Sequence, residues 1–191
     1  MGTADVRVRP VTPSRWDDLV SLFGPRGAYA GCWCMWFRET SADFERRGNA
    51  GNRRSMRILV RKNRQPGLLA YVGGEPAGWV SVAPRQEFGR IERSNALKPV
   101  DEEPVWSVVC FFIDKRFRGM GLGKRLLDAA VQHAARKGAR TVEAYPWDPL
   151  TGRKLTNAEA FIGLLPMFEA AGFREVARRS KSRPIVRREV A

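Results

Sequence analysis

Val109-Cys110-Phe111-Phe112-Ile113-Asp114-Lys115-Arg116-Phe117-Arg118-Gly119-Met120-Gly121-Leu122-Gly123-Lys124 decides how this 191-residue chain is read. The first half completes an apolar run, residues 105–113, with no polar alternation, as in a central strand buried on both faces. The second half sets glycines at 119, 121 and 123 among Arg116, Arg118, Lys124 and Arg125. Leu122, Leu126, Leu127, Ala130, Val131 and Ala134 then recur at helical spacing until Gly138 stops the helix predicted over 121–137. A buried strand thus runs through a short basic loop into a helix. The first amides of that helix lack intrahelical acceptors, and its dipole adds partial positive charge there. Missing side chains at the glycines let a diphosphate approach those amides.

Three phosphate-binding patterns compete for this junction. A Walker-type loop needs Gly-Lys followed by Ser or Thr, but Arg125 follows Gly123-Lys124. A dinucleotide fold needs G-x-G-x-x-G, whereas these glycines are spaced two and two and lie past the middle of the chain. The third pattern, Arg/Gln-x-x-Gly-x-Gly/Ala, is matched in full by the run from Arg118 to Gly123.

Working outward, Val6–Pro10 is predicted as a strand and 13–23 as a helix with Trp16, Leu19, Val20 and Phe23 on one side. Residues 27–37 are irregular and rich in glycine and aromatics, and 40–47 and 52–63 are polar helical candidates. A hairpin over 68–72 and 77–83 turns at Gly73-Gly74. A strand at 141–145, a helix at 158–171 and a strand pair at 173–179 and 184–190 complete the order. That alternation predicts an α/β (mixed α+β) domain spanning 1–191, with a mixed sheet and helices on both faces.

Composition narrows the function. The hydrophobic fraction is 43% and the charged fraction 28%, ordinary globular values. No apolar run is long enough to span a bilayer, and no hydrophobic signal segment opens the sequence, so a cytoplasmic location without membrane contact is expected. Three cysteines are too few for a disulfide framework. The net charge of +14 attracts polyanions. Its positive residues are spread along the chain and little interleaved with aromatics, which argues for one anion site rather than a nucleic-acid groove.

With these residues in hand, the chain resembles the GCN5-related N-acetyltransferase (GNAT) superfamily. The likeness rests on 105–137, and the run Met167-Phe168-Glu169-Ala170-Ala171-Gly172-Phe173-Arg174 is similar to the family's last helix and sixth strand. It implies a mostly antiparallel sheet with a splayed strand pair holding acetyl-CoA. In that layout the backbone of Phe111 and Ile113 pairs with the pantetheine arm. Main-chain amides of Arg118, Gly119, Met120, Gly121, Gly123 and Lys124 hold the pyrophosphate. No metal is required. The implied reaction is acetyl transfer to the primary amine of a small molecule or protein, with a homodimer as a candidate assembly. The alternative is an acyl-CoA-sensing or nucleic-acid-binding module on the same fold.

The acids and bases depart from the resemblance. Where many members carry Tyr this chain has Phe168, and Phe161 stands near the position of an Asn. Glu143 and Glu103 are the candidate bases and Tyr145 a substitute acid; a surface role is the alternative for Glu143. Trp33, Trp36 and Trp106 are the candidate acceptor-pocket residues, and the aromatics of 31–37 either wall that pocket or plug the core beneath it. Cys32 and Cys34 have C-x-C spacing, with only Cys110 and His133 as further ligand types; Cys110 is expected in the buried strand and His133 on a solvated helix face. A nucleophilic cysteine is a minor alternative.

Overall fold

The computed structural model describes residues 5–152 and 159–190. β1 (Val6–Pro10) leads into α1 (Trp16–Phe23), whose buried Trp16, Leu19, Leu22 and Phe23 follow the helical spacing. α2 (Ser41–Arg61) is capped by Thr40, whose hydroxyl accepts from the Asp43 amide at 3.0 Å. Gly48 breaks it with φ 54°, so it consists of two helical stretches, as its two polar candidates predicted. β2 (Gly67–Val72) and β3 (Glu75–Pro84) form the hairpin, and a short α3 (Gly89–Glu92) lies in the charged connection to β4 (Trp106–Ile113). Then come α4 (Leu122–Arg136), β5 (Thr141–Ala144), α5 (Leu165–Glu169), β6 (Arg174–Ala177) and β7 (Ile185–Glu189).

One seven-stranded sheet has the order β1-β2-β3-β4-β5-β7-β6, antiparallel except where β4 meets β5. Strand alternation sends its apolar side chains to two cores. On one face Leu19 and Phe23 of α1 and Met56 and Val60 of α2 pack with Leu69 and Trp79. On the other, Leu126, Leu127 and Ala130 of α4 pack with Val80, Val108 and Val142, joined by Phe168 of α5. The mixed sheet with helices on both faces is as expected.

The helix predicted over 158–171 differs. Residue 158 lies outside the described residues, and the remainder is a turn of 3-10 helix (Glu159–Ile162), a break, and α5. Gly163 has φ 79°, and a Cβ there would stand 2.7 Å from the Phe168 ring. Pro166 can open a helix but not continue one through the preceding turn. The break is tied across to Trp147, whose amide donates to the Gly163 carbonyl (2.9 Å) and whose carbonyl accepts from the Leu165 amide (2.8 Å).

Two details of β4 position the site. Ser81 pairs with Cys110 and Val82 with Val108, leaving Val109 as an extra, bulged residue. Val109 and Cys110 therefore both join the core beneath α1 and α2, while Val108 and Phe111 join the other. Moreover, β5 pairs with β4 only at Trp106–Val142, Ser107–Glu143 and Val108–Ala144. Beyond Val108 the two strands part.

Candidate active site

At the far end of β4, Asp114 caps a short turn by accepting from the Arg116 amide (2.9 Å), and the chain enters α4 through the glycine run. Gly119 (φ 79°) and Gly121 (φ 71°) hold left-handed conformations that side chains disfavour. A Cβ on either would meet nothing within 4 Å, so the glycines front open space. Gly123 differs: its Cβ would touch Met167 Sδ at 3.3 Å, a packing reason for glycine. Gly121 is the N-cap of α4 with no side-chain cap, which leaves the first amides of a 15-residue helix for an anion.

The charges around this turn are not equivalent. Arg116 is bound to Asp114 and Glu75, both at 3.1 Å, and Lys124 to Asp128 at 2.9 Å. Arg118 makes no ion pair among the described residues. Its Nε donates to the Ile113 carbonyl at 3.4 Å, and the side chain borders a groove of about 520 Å³.

That groove follows the parting of β4 from β5. The Asp114 amide donates to the Ala77 carbonyl of β3 (3.0 Å), so alternation directs the backbone of Ile113 and Phe111 to the opposite edge, into the gap. The groove runs past Phe111, Phe112 and Ile113 under Ala28, Tyr29 and Phe161. The same residues, Ile113 excepted, continue into a cavity of about 190 Å³ between β4 and the loop of residues 28–37. Trp36, Phe37 and Phe44 wall it, and Cys32, Cys34 and Cys110 bring three thiols to it. The loop is strained, with Ala28, Ala30, Trp33 and Cys34 all at positive φ. Neither the groove nor the cavity is bordered by a described carboxylate.

A splayed strand leading to glycine-held amides at a helix start is the arrangement that the sequence resemblance implied; the bulge at Val109 is added by the structure. The family model for the acetyltransferase (GNAT) family matches residues 32–150, more than half of the chain. The chain belongs to the GNAT family. Among curated relatives, an uncharacterised N-acetyltransferase of Methanocaldococcus jannaschii is 22% identical over 147 residues, which cover 72% of this chain and 52% of the relative. The chain therefore spans about half the length of that protein. A GNAT acetyltransferase of Streptococcus pneumoniae superposes with a TM-score of 0.56 at 18% identity, covering 98% of this chain and all of its own. The PaiA N-acetyltransferase of Thermoplasma acidophilum, solved in complex with coenzyme A, gives 0.54 at 13% identity, covering 97% of this chain and 99% of that one. At such identities the likeness is one of fold.

Within this GNAT fold the sequence-predicted site residues divide. Phe111, Ile113, Arg118, Gly119, Met120, Gly121, Gly123 and Lys124 come together along the gap and the glycine turn. Trp36 borders the cavity, 40% exposed, with the Arg90 guanidinium 3.9 Å above its ring. Trp33 plugs the core instead: it is buried, stacked near Trp16, with Nε1 donating to Asn49 at 2.6 Å. Trp106 lies at the other end of β4, edge-on to His133. His133 itself is buried there rather than solvated, because α4 turns that face onto the sheet. Burial, reinforced by Lys137 and Arg136, lowers its pKa to about 4.

Glu143, Tyr145 and Glu103 also gather at that other end. Glu143 is fully buried rather than a surface group, and accepts from the Tyr145 hydroxyl at 2.5 Å and from Arg187 Nε at 2.8 Å. Arg85 Nη1 stands 3.7 Å away. Glu103 accepts from Thr141 (2.5 Å) and Arg187 (3.1 Å), and Arg187 also forks onto Asp101 at 2.7 and 2.8 Å. Arg187 thereby holds the Asp101 carboxyl down at about 2, while burial and Glu143 push the Tyr145 phenol well above its ordinary value. Phe168, at the family's Tyr position, is buried against Phe111 and Phe173. Sequence reading missed the meeting of three thiols: C-x-C spacing was visible, but Cys110 is 76 residues from Cys34. Among the described residues no three His, Cys, Asp or Glu side chains are arranged to hold a metal ion, and no helix is long and apolar enough to cross a membrane.

Proposed function

We propose that this GNAT protein transfers an acetyl group from acetyl-CoA to the primary amine of a small molecule or protein by direct attack in a ternary complex. One observation carries the reading: the parting of β4 from β5 opens a path from Arg118, the residue that enters the glycine turn, to the aromatic cavity. Amides of Arg118 through Lys124 would hold the pyrophosphate, and the backbone of Phe111 and Ile113 the pantetheine arm. The coenzyme A bound to the related PaiA protein supports this choice of donor. A thioester is already activated, so the chain's main task is alignment, which contributes several kcal/mol. Of the two amides expected to stabilise the developing oxyanion, Cys110 and Phe111, this reading assigns the role to Phe111, whose backbone is directed into the gap.

The cavity favours an acceptor with an apolar or aromatic body. Its walls are Tyr29, Trp36, Phe37, Phe44 and Phe161, and a charged ammonium there would lose hydration without a described carboxylate to replace it. The +14 surface also disfavours polycationic acceptors. Glu143, Glu103 and Tyr145, the candidate bases and acid, are engaged with one another and with Arg187 at the other end of β4 and border neither groove nor cavity, so in this reading water takes the amine proton.

Calorimetric titration with acetyl-CoA, followed by a thiol-release assay across aromatic, aliphatic and peptide amines, tests the proposal. Saturable binding with CoA release on an aromatic amine is expected. A second reading, a module that binds acyl-CoA without turnover, is favoured by the absence of a hydroxyl at Phe168; binding with no CoA release from any amine would select it. Nucleic-acid affinity that falls steeply with salt, without acetyl-CoA binding, would overturn both.

A further inference from the structure

The three thiols have no part in the transfer just described. Cys34 Sγ lies 3.4 Å from Cys110 Sγ, and both residues are buried free thiols at the wall of the acceptor cavity. They reach each other through two departures from regular backbone. Cys34 sits at φ 53° directly after Trp33 at φ 42°, left-handed conformations that non-glycine residues rarely adopt. Cys110 faces Cys34 because the Val109 bulge puts both strand residues on one side of the sheet. Cys32 borders the same cavity and is the least buried of the three.

We propose that Cys34 and Cys110 form an oxidisable dithiol, a modification site at which a peroxide closes a disulfide across the acceptor cavity, with Cys32 as the thiol that reacts first. Cys32 is the thiol open to a peroxide: it is the least buried of the three, its Sγ donates to the Gly27 carbonyl at 3.5 Å, and hydrogen bonding to Cys34 draws its pKa down to about 6, toward the nucleophilic thiolate. The Cys32 thiolate attacks one peroxide oxygen, breaking the O–O bond; it becomes a sulfenic acid and the other oxygen leaves as water after taking a proton. Cys34 attacks that sulfur and expels a second water, forming Cys32–Cys34. Cys110, adjacent to Cys34, then attacks the Cys34 sulfur and releases Cys32 as a thiol. In sum two thiols and one hydrogen peroxide give one disulfide and two waters. The bond ties the loop of the cavity to the bulge beside the Phe111 amide and removes the freedom of that wall to admit an acceptor. This last consequence rests on the proposed transfer; the bond itself does not.

The experiment treats the reduced protein with hydrogen peroxide, blocks remaining thiols with N-ethylmaleimide and maps tryptic peptides without reductant. The expected product is monomeric, with peptide 27–38 joined to 94–115 and the blocking group on Cys32, all reversed by dithiothreitol. Cys32→Ser is expected to slow closure about tenfold at pH 7 without changing the final linkage. Three blocked thiols after peroxide, Cys32 carried to sulfinic acid without a cross-link, or links only between chains would overturn the site. An unchanged closure rate in Cys32→Ser would overturn the order of steps. If the wild-type protein transfers acetyl groups, its oxidised form should do so at least about tenfold more slowly than its reduced form, and Cys34→Ser should lose that difference. Closure with undiminished transfer would overturn the consequence and leave the transferase reading intact. Closure in a protein that transfers to no amine would overturn the transferase reading and leave the dithiol intact.

Discussion

The two ends of β4 are built on opposite principles. At Trp106–Val108 the strand is paired on both edges, and the carboxylates of Glu143, Asp101 and Glu103 meet there with the guanidinium groups of Arg85 and Arg187 in one ion-pair network. From Val109 to Ile113 the edge that faces β5 is open, the backbone faces a groove, and among the described residues no carboxylate pairs with Arg118 at its mouth. A polar group already satisfied inside a fold has little left to give a ligand; one left unsatisfied has much. The buried charges therefore mark the end that holds the sheet together, and the open amides mark the end proposed to bind acetyl-CoA. Substitutions at the two ends should separate stability from affinity.

The largest effect is expected at the paired end. Glu143→Ala leaves Arg187 without its buried partner and Arg85 with Glu92 alone, at a cost of about 3–5 kcal/mol in urea unfolding. Acetyl-CoA affinity, read by calorimetry on the folded fraction, should stay within about twofold. Loss of affinity at unchanged stability would instead give Glu143 a direct role. At the open end Gly121→Val should do the reverse. A β-branched residue cannot keep φ 71°, and its side chain would enter the space over the first amides of α4. Affinity should fall about 100-fold, near 3 kcal/mol, with a smaller change in unfolding midpoint. Unchanged affinity would remove the glycine turn from the cofactor site.

Acid sharpens the contrast, because His133 belongs to the paired end. Its folded pKa, about 4, is below the usual value near 6.5. As pH falls through 6.5 the unfolded chain takes up a proton that the folded chain refuses. Stability from this group is thus complete above about 6.5 and declines toward pH 4, by about 2 kcal/mol at pH 5. Unfolding midpoints of the wild type against His133→Phe test it: the decline should vanish in the variant. Asp101, held near 2 by Arg187, contributes in a lower window, above the ordinary carboxylate range and lost as pH falls toward 2.

Legibility in the sequence follows the same division. The open end was readable because its signals are local: an apolar run interrupted by Ser107 alone and glycines at fixed offsets need no distant partner to be interpreted. The paired end was not. Apart from Tyr145, Glu143 draws its partners from β7 and from residue 85, and no spacing in the chain announces that Arg187 will cross to it. A carboxylate on a strand looks alike whether it faces water or an arginine. The break at Gly163 was hidden for a related reason, since a left-handed glycine packed on Phe168 is a tertiary fact. Trp33 and Trp36, three residues apart with the same side chain, took opposite places because positive φ at Trp33 and Cys34 reverses the loop between them.

The smallest effect discriminates placed charge from diffuse charge. Both Arg116 and Arg118 lie in the basic loop, and by sequence they are interchangeable donors to a diphosphate. In the structure Arg116 is held by Asp114 and Glu75, whereas Arg118 reaches the groove over the Ile113 carbonyl. A guanidinium in an ion pair must give up that pair to bind phosphate, and an unpaired one need not. Arg118→Gln should weaken acetyl-CoA binding about five- to tenfold, roughly 1 kcal/mol, and flatten its salt dependence. Arg116→Gln should change affinity less than about twofold, since it removes a charge whose field two carboxylates already cancel. Equal losses from the two substitutions would mean that the field of the whole +14 surface, and not a guanidinium aimed along the open edge of β4, draws the ligand in.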